Sequence, residues 1–435
     1  MADQEHSLQQ ISSSPVIHRC PWLLRGISSG SYEFEQQVLE DGALVVAGGL
    51  IRAIGGYGEI KKEFGQYKTL DHDSSILLPG LINGHCHLEL SHLVFPEHDR
   101  DNNCYHGAFT TWIKELLTER ERFFQENADA ENLILQHARQ TLQHMSADGV
   151  AFIGDVGNSL SSRTIGEDQK TRVYFLLELL GLTKESEAKT SARLENIAAD
   201  AALDISCTPH APYSTSPGSI QAIKRQAGRQ NQIVSIHVAE SWQEVEFLQS
   251  GAGAFKEFLC ERGAWDGTFT IPALGPVQYL NRLGVIDSRT ICVHCVHMDR
   301  ADINILAEKK AKVCLCPGSN RFLGVGKAPV TEFLDHGILP ALGTDSMASN
   351  QELNMWREMR LLREDHPEIS PESVFDMATR GGAEAWGISA EIGSLEPGKQ
   401  SLAQAVMYQG KINSPGDIFE MLTTAGDSLQ REWLG

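Results

Sequence analysis

The chain has 435 residues, and 37 basic against 57 acidic side chains leave it at −20 at neutral pH. Such a surface repels phosphate backbones and anionic lipid, which argues against nucleic acid or a membrane surface as a partner. The 41% hydrophobic and 22% charged content is that of a soluble protein, with room for one large domain and an appendage or for two to three domains. Nine cysteines without a framework spacing suit reduced thiols. The opening "MADQEHSLQQISSS" has neither a basic nor an apolar signal region. The most apolar run, "VYFLLELLGL", is broken by Glu178 and is too short to span a bilayer. A soluble, cytoplasmic protein is expected.

Residues 1–78 predict short strands and turns, since "ALVVAGGLIRAIGGYGEI" alternates β-branched residues with glycine pairs. From Ile76 onward eight short apolar runs recur: "ILLPGLING", "GVAFIGDV", "RVYFLLELL", "DISCTPHAP", "IVSIHVAES", "TICVHCVHM", "AKVCLCPGS" and "ILPALGTDS". Helix-like segments such as "ENLILQHARQTLQHMSADG" and "SIQAIKRQAGRQ" lie between them. Eight strand-like runs alternating with helices predict parallel βα units that close into a barrel over residues 79–384. After residue 385, "GISAEIGSLEPGKQSLAQAVMY" returns to strand and turn texture. The expected fold is therefore α/β: a distorted (β/α)8 TIM barrel, with residues 1–78 and 385–435 forming a small composite β-sandwich domain.

The polar residues of the eight runs sit at one end. His85 and His87, Asp155, Glu178, His210, His237 with Glu240, His294 and Asp345 all end their runs or follow them. In such a barrel those ends converge on one face, where chemistry is built. The two histidines of "HCH" are at i and i+2, so both point to one side of a strand end. His237 and Asp345 add two further donors, and imidazoles with a carboxylate suit Zn²⁺, with Fe²⁺ or Mn²⁺ as alternatives. An isolated H-x-H is more often a pair of solvent histidines; four donors at strand ends are harder to dismiss. "HLELSH" departs from H-E-x-x-H in spacing, and His87-Leu88-Glu89 lacks the P-C-x-x-C half of the zinc base-deaminase signature. Cys292, Cys295, Cys314 and Cys316 read as buried strand cysteines. Glu240 is either an exposed acid opening a helix or a general acid whose pKa burial raises. His294 could hold a water or polarise a bond, and spacing does not decide a role for His297.

These residues resemble the amidohydrolase superfamily, in its branch of cytosine, guanine and S-adenosylhomocysteine deaminases and triazine chlorohydrolases. "PGLINGHCH", "HVAES", "VHCVHMD", "CPGSNRFLGVGKAPV" and "LGTDSMASNQELNMWREMR" follow that branch's order from about Pro79 to Ala385. "EPGKQSLAQAVMY" departs from the usual "PGK-x-ADL" turn, which bears on the C-terminal strand pairing. The resemblance implies that His85, His87, His237 and Asp345 ligate one metal, with Asp345 also the base. Glu240 would carry protons to a ring nitrogen, and His294 would orient the water. No lysine ends the fourth run, so the bridging carbamate of two-metal members is missing. "HCHLELS" with "FTTWIKEL" looks more like the aminodeoxyfutalosine deaminases.

The implied activity is hydrolytic removal of the exocyclic amine of a purine-type nucleoside by metal-activated water, with ammonia released. The first choice of substrate is 6-aminodeoxyfutalosine, of the menaquinone pathway. Alternatives are S-adenosylhomocysteine, methylthioadenosine, adenosine, guanine or cytosine deamination, a triazine-type chlorohydrolase, and a non-catalytic binding protein on the same barrel. Glu89, Trp112, His210, Tyr213 and Asn320 are the expected substrate contacts, while Trp242 is either pocket wall or helix anchor. The expected partners are a small-molecule substrate and a second copy of the chain.

Overall fold

The computed structural model describes residues 14–26, 37–93, 105, 107–166, 170–200 and 205–434. The signal-free reading of the N-terminus falls on residues 1–13, outside the described residues. Near Pro79 the run "ILLPGLING" divides between two sheets. β1 (Val16–Leu24), β2 (Val38–Ala47), β3 (Leu50–Gly56), β4 (Lys68–Asp71) and β5 (Ser75–Pro79) precede the break, and β6 (Leu81–Cys86) follows it. Gly80 is the pivot, since a Cβ there would lie 2.6 Å from Ala151 and 2.8 Å from Trp433.

The barrel is built from β6, β7 (Val150–Gly157), β8 (Arg172–Leu179), β9 (Ser206–Pro209), β10 (Val234–Val238), β11 (Thr290–His294), β12 (Lys312–Leu315) and β13 (Ala341–Leu342). β6 to β9 form one parallel ladder and β10 to β13 another. Two seams join them. Between β9 and β10, His237 N donates to His210 O at 2.9 Å and Ser235 N to the Thr208 hydroxyl, also at 2.9 Å. A side-chain oxygen there replaces a ladder carbonyl, and the barrel is distorted at that point. Between β13 and β6, the amides of Thr344 and Asp345 donate to His85 O at 3.0 and 3.1 Å.

Strands covered on both faces read as continuous apolar runs, and every residue of β6, β7, β9, β10 and β11 is buried. Ile82, Phe152, Val156, Leu176, Ile291, Val293 and Cys314 share a core cluster with Trp386. Trp386 Nε1 donates to Gly84 O at 3.0 Å. Gly154 leaves room for that ring, because a Cβ there would lie 2.0 Å from it. Cys292, Cys295, Cys314 and Cys316 are buried free thiols on or just past their strands.

Strands from both ends of the chain share one seven-stranded sheet. It runs β15-β14-β5-β1-β2-β3, with β4 paired to β1, where β14 is Ala403–Met407 and β15 is Arg431–Trp433. β14 lies antiparallel to β5, with Gln404 opposite Leu78. The tail also carries a helix, Pro415–Ala425, that the strand-and-turn reading did not include. Its signals are local: Ser414 and Asp417 form a capping box, and Pro415 occupies the first turn. Ile418, Phe419 and Leu422 bury its apolar side in the barrel's helical layer, with the Phe419 ring 5.7 Å from that of Phe375. No helix among the described residues is long and apolar enough to cross a membrane.

Gly343 marks the tightest point of the closing seam, because a Cβ there would lie 2.8 Å from His85 O and 2.9 Å from His85 N. Backbone cannot give way as a side chain can, so Gly343→Ala is expected to cost about 1–3 kcal/mol, as overpacking does. Urea or thermal unfolding checks this. An unchanged midpoint would show that the seam has slack.

Candidate active site

Three histidines and one aspartate meet at the C-terminal mouth of the barrel. His85 is the penultimate residue of β6 and His87 follows that strand; His237 is penultimate in β10, and Asp345 lies just past β13. His87 Nε2 is 3.4 Å from His237 Nε2 and 3.5 Å from Asp345 Oδ1, and His85 Nε2 is 3.8 Å from the same oxygen. Donors held tetrahedrally at about 2.0–2.2 Å from one ion lie roughly 3.3–3.6 Å apart. The four ligand atoms all fall within 4.8 Å of one another.

The surroundings prepare each donor. His237 Nδ1 donates to His210 O at 2.9 Å, which leaves Nε2 free to ligate. Asp345 Oδ2 accepts from the hydroxyls of Ser319 at 2.7 Å and Ser349 at 2.6 Å, leaving Oδ1 to the histidines. His85 is 1% exposed and neither of its ring nitrogens has a hydrogen-bond partner among the described residues. A buried imidazole so orphaned is costly, and a cation among these donors removes the cost. Burial, reinforced by neighbouring histidines, pushes His85 and His237 well below the ordinary histidine range, into the neutral form that ligates. Burial would raise Asp345, but His294, His87 and His85 outweigh it and hold the carboxyl at about 2. The group fits a borderline divalent cation.

Two further groups stand beside it. Glu240, 5% exposed, places Oε1 3.6 Å from His294 Nε2. Burial pushes the Glu240 carboxyl well above the usual carboxylate range, with Asp345 and Glu244 adding to the shift. His294 Nδ1 donates to Asn320 Oδ1 at 2.9 Å, so the bare Nε2 faces Glu240; this tautomer follows from the amide oxygen's acceptor role. Glu240, His294 and Asp345 offer atoms within 4.8 Å of one another. Ala239, His294, Cys295 and Asp345 have left-handed backbone, with φ of 52°, 69°, 50° and 59°. Four non-glycine residues in that region mark strain held by the surrounding fold, and these turns aim Glu240, His294 and Asp345 inward.

The remaining expected residues divide. His210 ends up beside the group, its ring 4.9 Å from that of His237 and its Nδ1 sharing a 2.5 Å hydrogen bond with the Ser214 hydroxyl. Tyr213 is buried against Phe255, ring to ring at 4.2 Å. Trp112 donates from Nε1 to Ala348 O at 2.9 Å and shares that apolar cluster. Asn320 holds His294 as described. Glu89 is buried, but its carboxylate accepts from Ser159 N at 3.1 Å and the Ser162 hydroxyl at 2.9 Å, with Arg120 at 3.7 Å. Trp242 opens the helix Trp242–Ser250 at 60% exposure, an outer position. His297 belongs to none of the metal-capable groups among the described residues.

Sequence reading missed Glu244, Ser319 and Ser349, and it did not select Glu178 or Asp155 from the strand-end acids. Glu244 accepts the Glu240 amide at 2.9 Å, and burial pushes its carboxyl up to about 8. Its i, i+4 spacing from Glu240 was a usable signal. Asp155 accepts Leu88 N at 2.8 Å, steadying the turn after His87.

The chain belongs to the amidohydrolase family, whose profile matches residues 76–421. It is a hydrolytic enzyme acting on C–N bonds. A 5-methylthioadenosine/S-adenosylhomocysteine deaminase of Pelotomaculum thermopropionicum is 28% identical over 392 residues, covering 87% of this chain and 83% of the relative. Among solved structures, aminofutalosine deaminase of Helicobacter pylori superposes with a TM-score of 0.78 at 22% identity, covering 93% of this chain and 95% of that one. A zinc-bound adenosine deaminase of Xanthomonas campestris gives 0.73 at 21% identity, over 94% and 88% of the two chains. These likenesses establish the fold, a distorted (β/α)8 barrel with a β-rich unit.

One divalent ion per chain is the expected content. His85→Ala and Asp345→Ala should each empty the site, and Ser349→Ala should weaken it by roughly 10–100-fold, as loss of an outer-shell hydrogen bond does. Elemental analysis with a chelator titration reads both. Two ions per wild-type chain, or none, would contradict a single-ion site.

Proposed function

We propose that the chain is a metal-dependent deaminase that hydrolyses the exocyclic amine of an adenosine-type nucleoside and releases ammonia. The observation that carries this reading is the convergence of Glu240, His294 and Asp345 beside the four-donor group. A hydrolytic deamination needs an acid for the ring nitrogen, a base for the water and a holder for the attacking oxygen. Glu240, Asp345 and His294 offer one group for each role.

A divalent cation held by His85, His87, His237 and Asp345 would supply Lewis acidity, which lowers the pKa of water from 15.7 toward about 7. Asp345, ionised at neutral pH, accepts the proton of the water and passes it to the departing amine. His294, with its Nδ1–H committed to Asn320, presents Nε2 as an acceptor and so orients the water. Glu240, whose carboxyl burial pushes well above the usual range, gives its proton to the ring nitrogen next to the amine-bearing carbon and regains one from the new hydroxyl as the carbonyl forms and ammonia leaves. Tyr213, Phe255 and Trp112 pack in one buried apolar cluster, which would back a planar base lying against His210. His210 contacts the bound nucleoside beside them.

The names of similar proteins support an adenosine-type base. Relatives 26–29% identical are called 5-methylthioadenosine/S-adenosylhomocysteine deaminases, and one at 28% a 5′-deoxyadenosine deaminase. Within that class "HCHLELS" and "FTTWIKEL" favour 6-aminodeoxyfutalosine, in keeping with the likeness to aminofutalosine deaminase. The curated relatives favour methylthioadenosine or S-adenosylhomocysteine as the second reading.

Ammonia release across these nucleosides, adenosine, guanine, cytosine and a chlorinated triazine tests the reading. A physiological nucleoside should be deaminated with kcat/KM of about 10⁴–10⁸ M⁻¹s⁻¹. Preference for guanine or cytosine, or chloride release, would overturn it. Glu240→Gln should keep fold and metal while kcat falls about 10²–10⁴-fold, the usual contribution of a positioned acid. A near-normal kcat would remove Glu240 from the mechanism.

A further inference from the structure

Glu178, the penultimate residue of β8, is 5% exposed at the mouth of the barrel. Its Oε2 accepts Asn158 Nδ2 at 3.0 Å, and Asn158 also meets the Glu178 carbonyl at 3.4 Å. Its Oε1 has no hydrogen-bond partner among the described residues. That oxygen lies 3.9 Å from His237 Nδ1, but the proton there already goes to His210 O. Glu178, His210 and His237 come within 4.8 Å of one another. A second ion on this trio would have to take His237 from the group that uses its Nε2. A carboxylate oxygen buried without a donor calls instead for an O–H or N–H.

The order of strands says which part of a bound nucleoside can supply it. Passing round the mouth, His294 ends β11, His237 nearly ends β10, His210 follows β9 and Glu178 nearly ends β8. With the amine-bearing ring against Glu240 and His294, a nucleoside laid along this order of strand ends would bring its sugar past His210 to Glu178.

We propose that Glu178 is a specificity-determining residue that accepts a sugar hydroxyl of the substrate at Oε1. The inference rests on the nucleoside reading above. The test compares kcat and KM of metal-loaded wild type, Glu178→Ala and Glu178→Gln on adenosine, 2′-deoxyadenosine and 3′-deoxyadenosine. Wild type should favour adenosine over one deoxy form by roughly 10–100-fold in kcat/KM, the size of one well-made buried hydrogen bond. Glu178→Ala should shrink that preference to under about threefold, chiefly by raising KM for adenosine. Glu178→Gln, isosteric and still an acceptor, should narrow it without abolishing it; this variant decides the matter if the alanine form does not fold. An equal loss on all three substrates, with the preference intact, would make Glu178 a support for His210 and overturn the inference. Failure of wild type to release ammonia from any of the three, and from methylthioadenosine and S-adenosylhomocysteine as well, would instead strike the nucleoside reading, and the inference with it.

Discussion

Two backbone hydrogen bonds, from Thr344 N and Asp345 N to the carbonyl of His85, close the barrel between its first and last strands. The site depends on them. They bring Asp345, on the last strand's end, to the histidines of the first, across some 260 residues of chain. β13 is only two residues long, so its ladder alone is a weak latch. Polar side chains reinforce it: Asn83 Oδ1 accepts Thr344 N at 3.2 Å, and Asn83 Nδ2 donates to the Thr344 hydroxyl at 2.8 Å. Buried, fully engaged networks of this kind fix one geometry. Closure of this seam thus joins Asp345 to His85 and His87, and His237 meets them from β10.

Burial disfavours the charged form of both Asp345 and Glu240, and their neighbours then differ. Asp345 faces three histidines and is held at about 2, while burial, with Asp345 and Glu244 adding to it, pushes Glu240 well above the usual carboxylate range. Carboxyls a few ångströms apart pushed in opposite directions make an acid and a base available at one pH. Glu244, pushed up to about 8, takes the Glu240 amide and sits beneath the acid as a neutral support. The charge of −20 on the whole chain has no part in this, because the local field comes from groups within a few ångströms.

Much of the barrel was legible because its strands are covered on both faces and read as unbroken apolar runs. The site was legible for a related reason: in this architecture functional residues end strands, and "HCH", "SIHVAES" and "LGTDS" put donors there. What escaped was tertiary. The split of "ILLPGLING" between two sheets follows from the contacts around Gly80, which no local pattern shows. The serines that hold Asp345 approach it from two directions, one of them across 26 residues. Glu89 stands next to the ligands in sequence, yet the turn at Leu88–Leu90 carries its carboxylate to Ser159 and Ser162. The helix Pro415–Ala425 is a different case, since its cap was readable in "NSPGD" and strand texture upstream obscured it.

The central claim is that one ion joins the first and last strands through His85, His87, His237 and Asp345. Anomalous diffraction from crystals of the metal-loaded protein, recorded at the absorption edge of the bound metal, tests it most directly. The account expects a single peak per chain, in contact with all four side chains and with none from Glu178. A second peak, or one lying between Glu178 and His210, or an ion not touching Asp345, would contradict it.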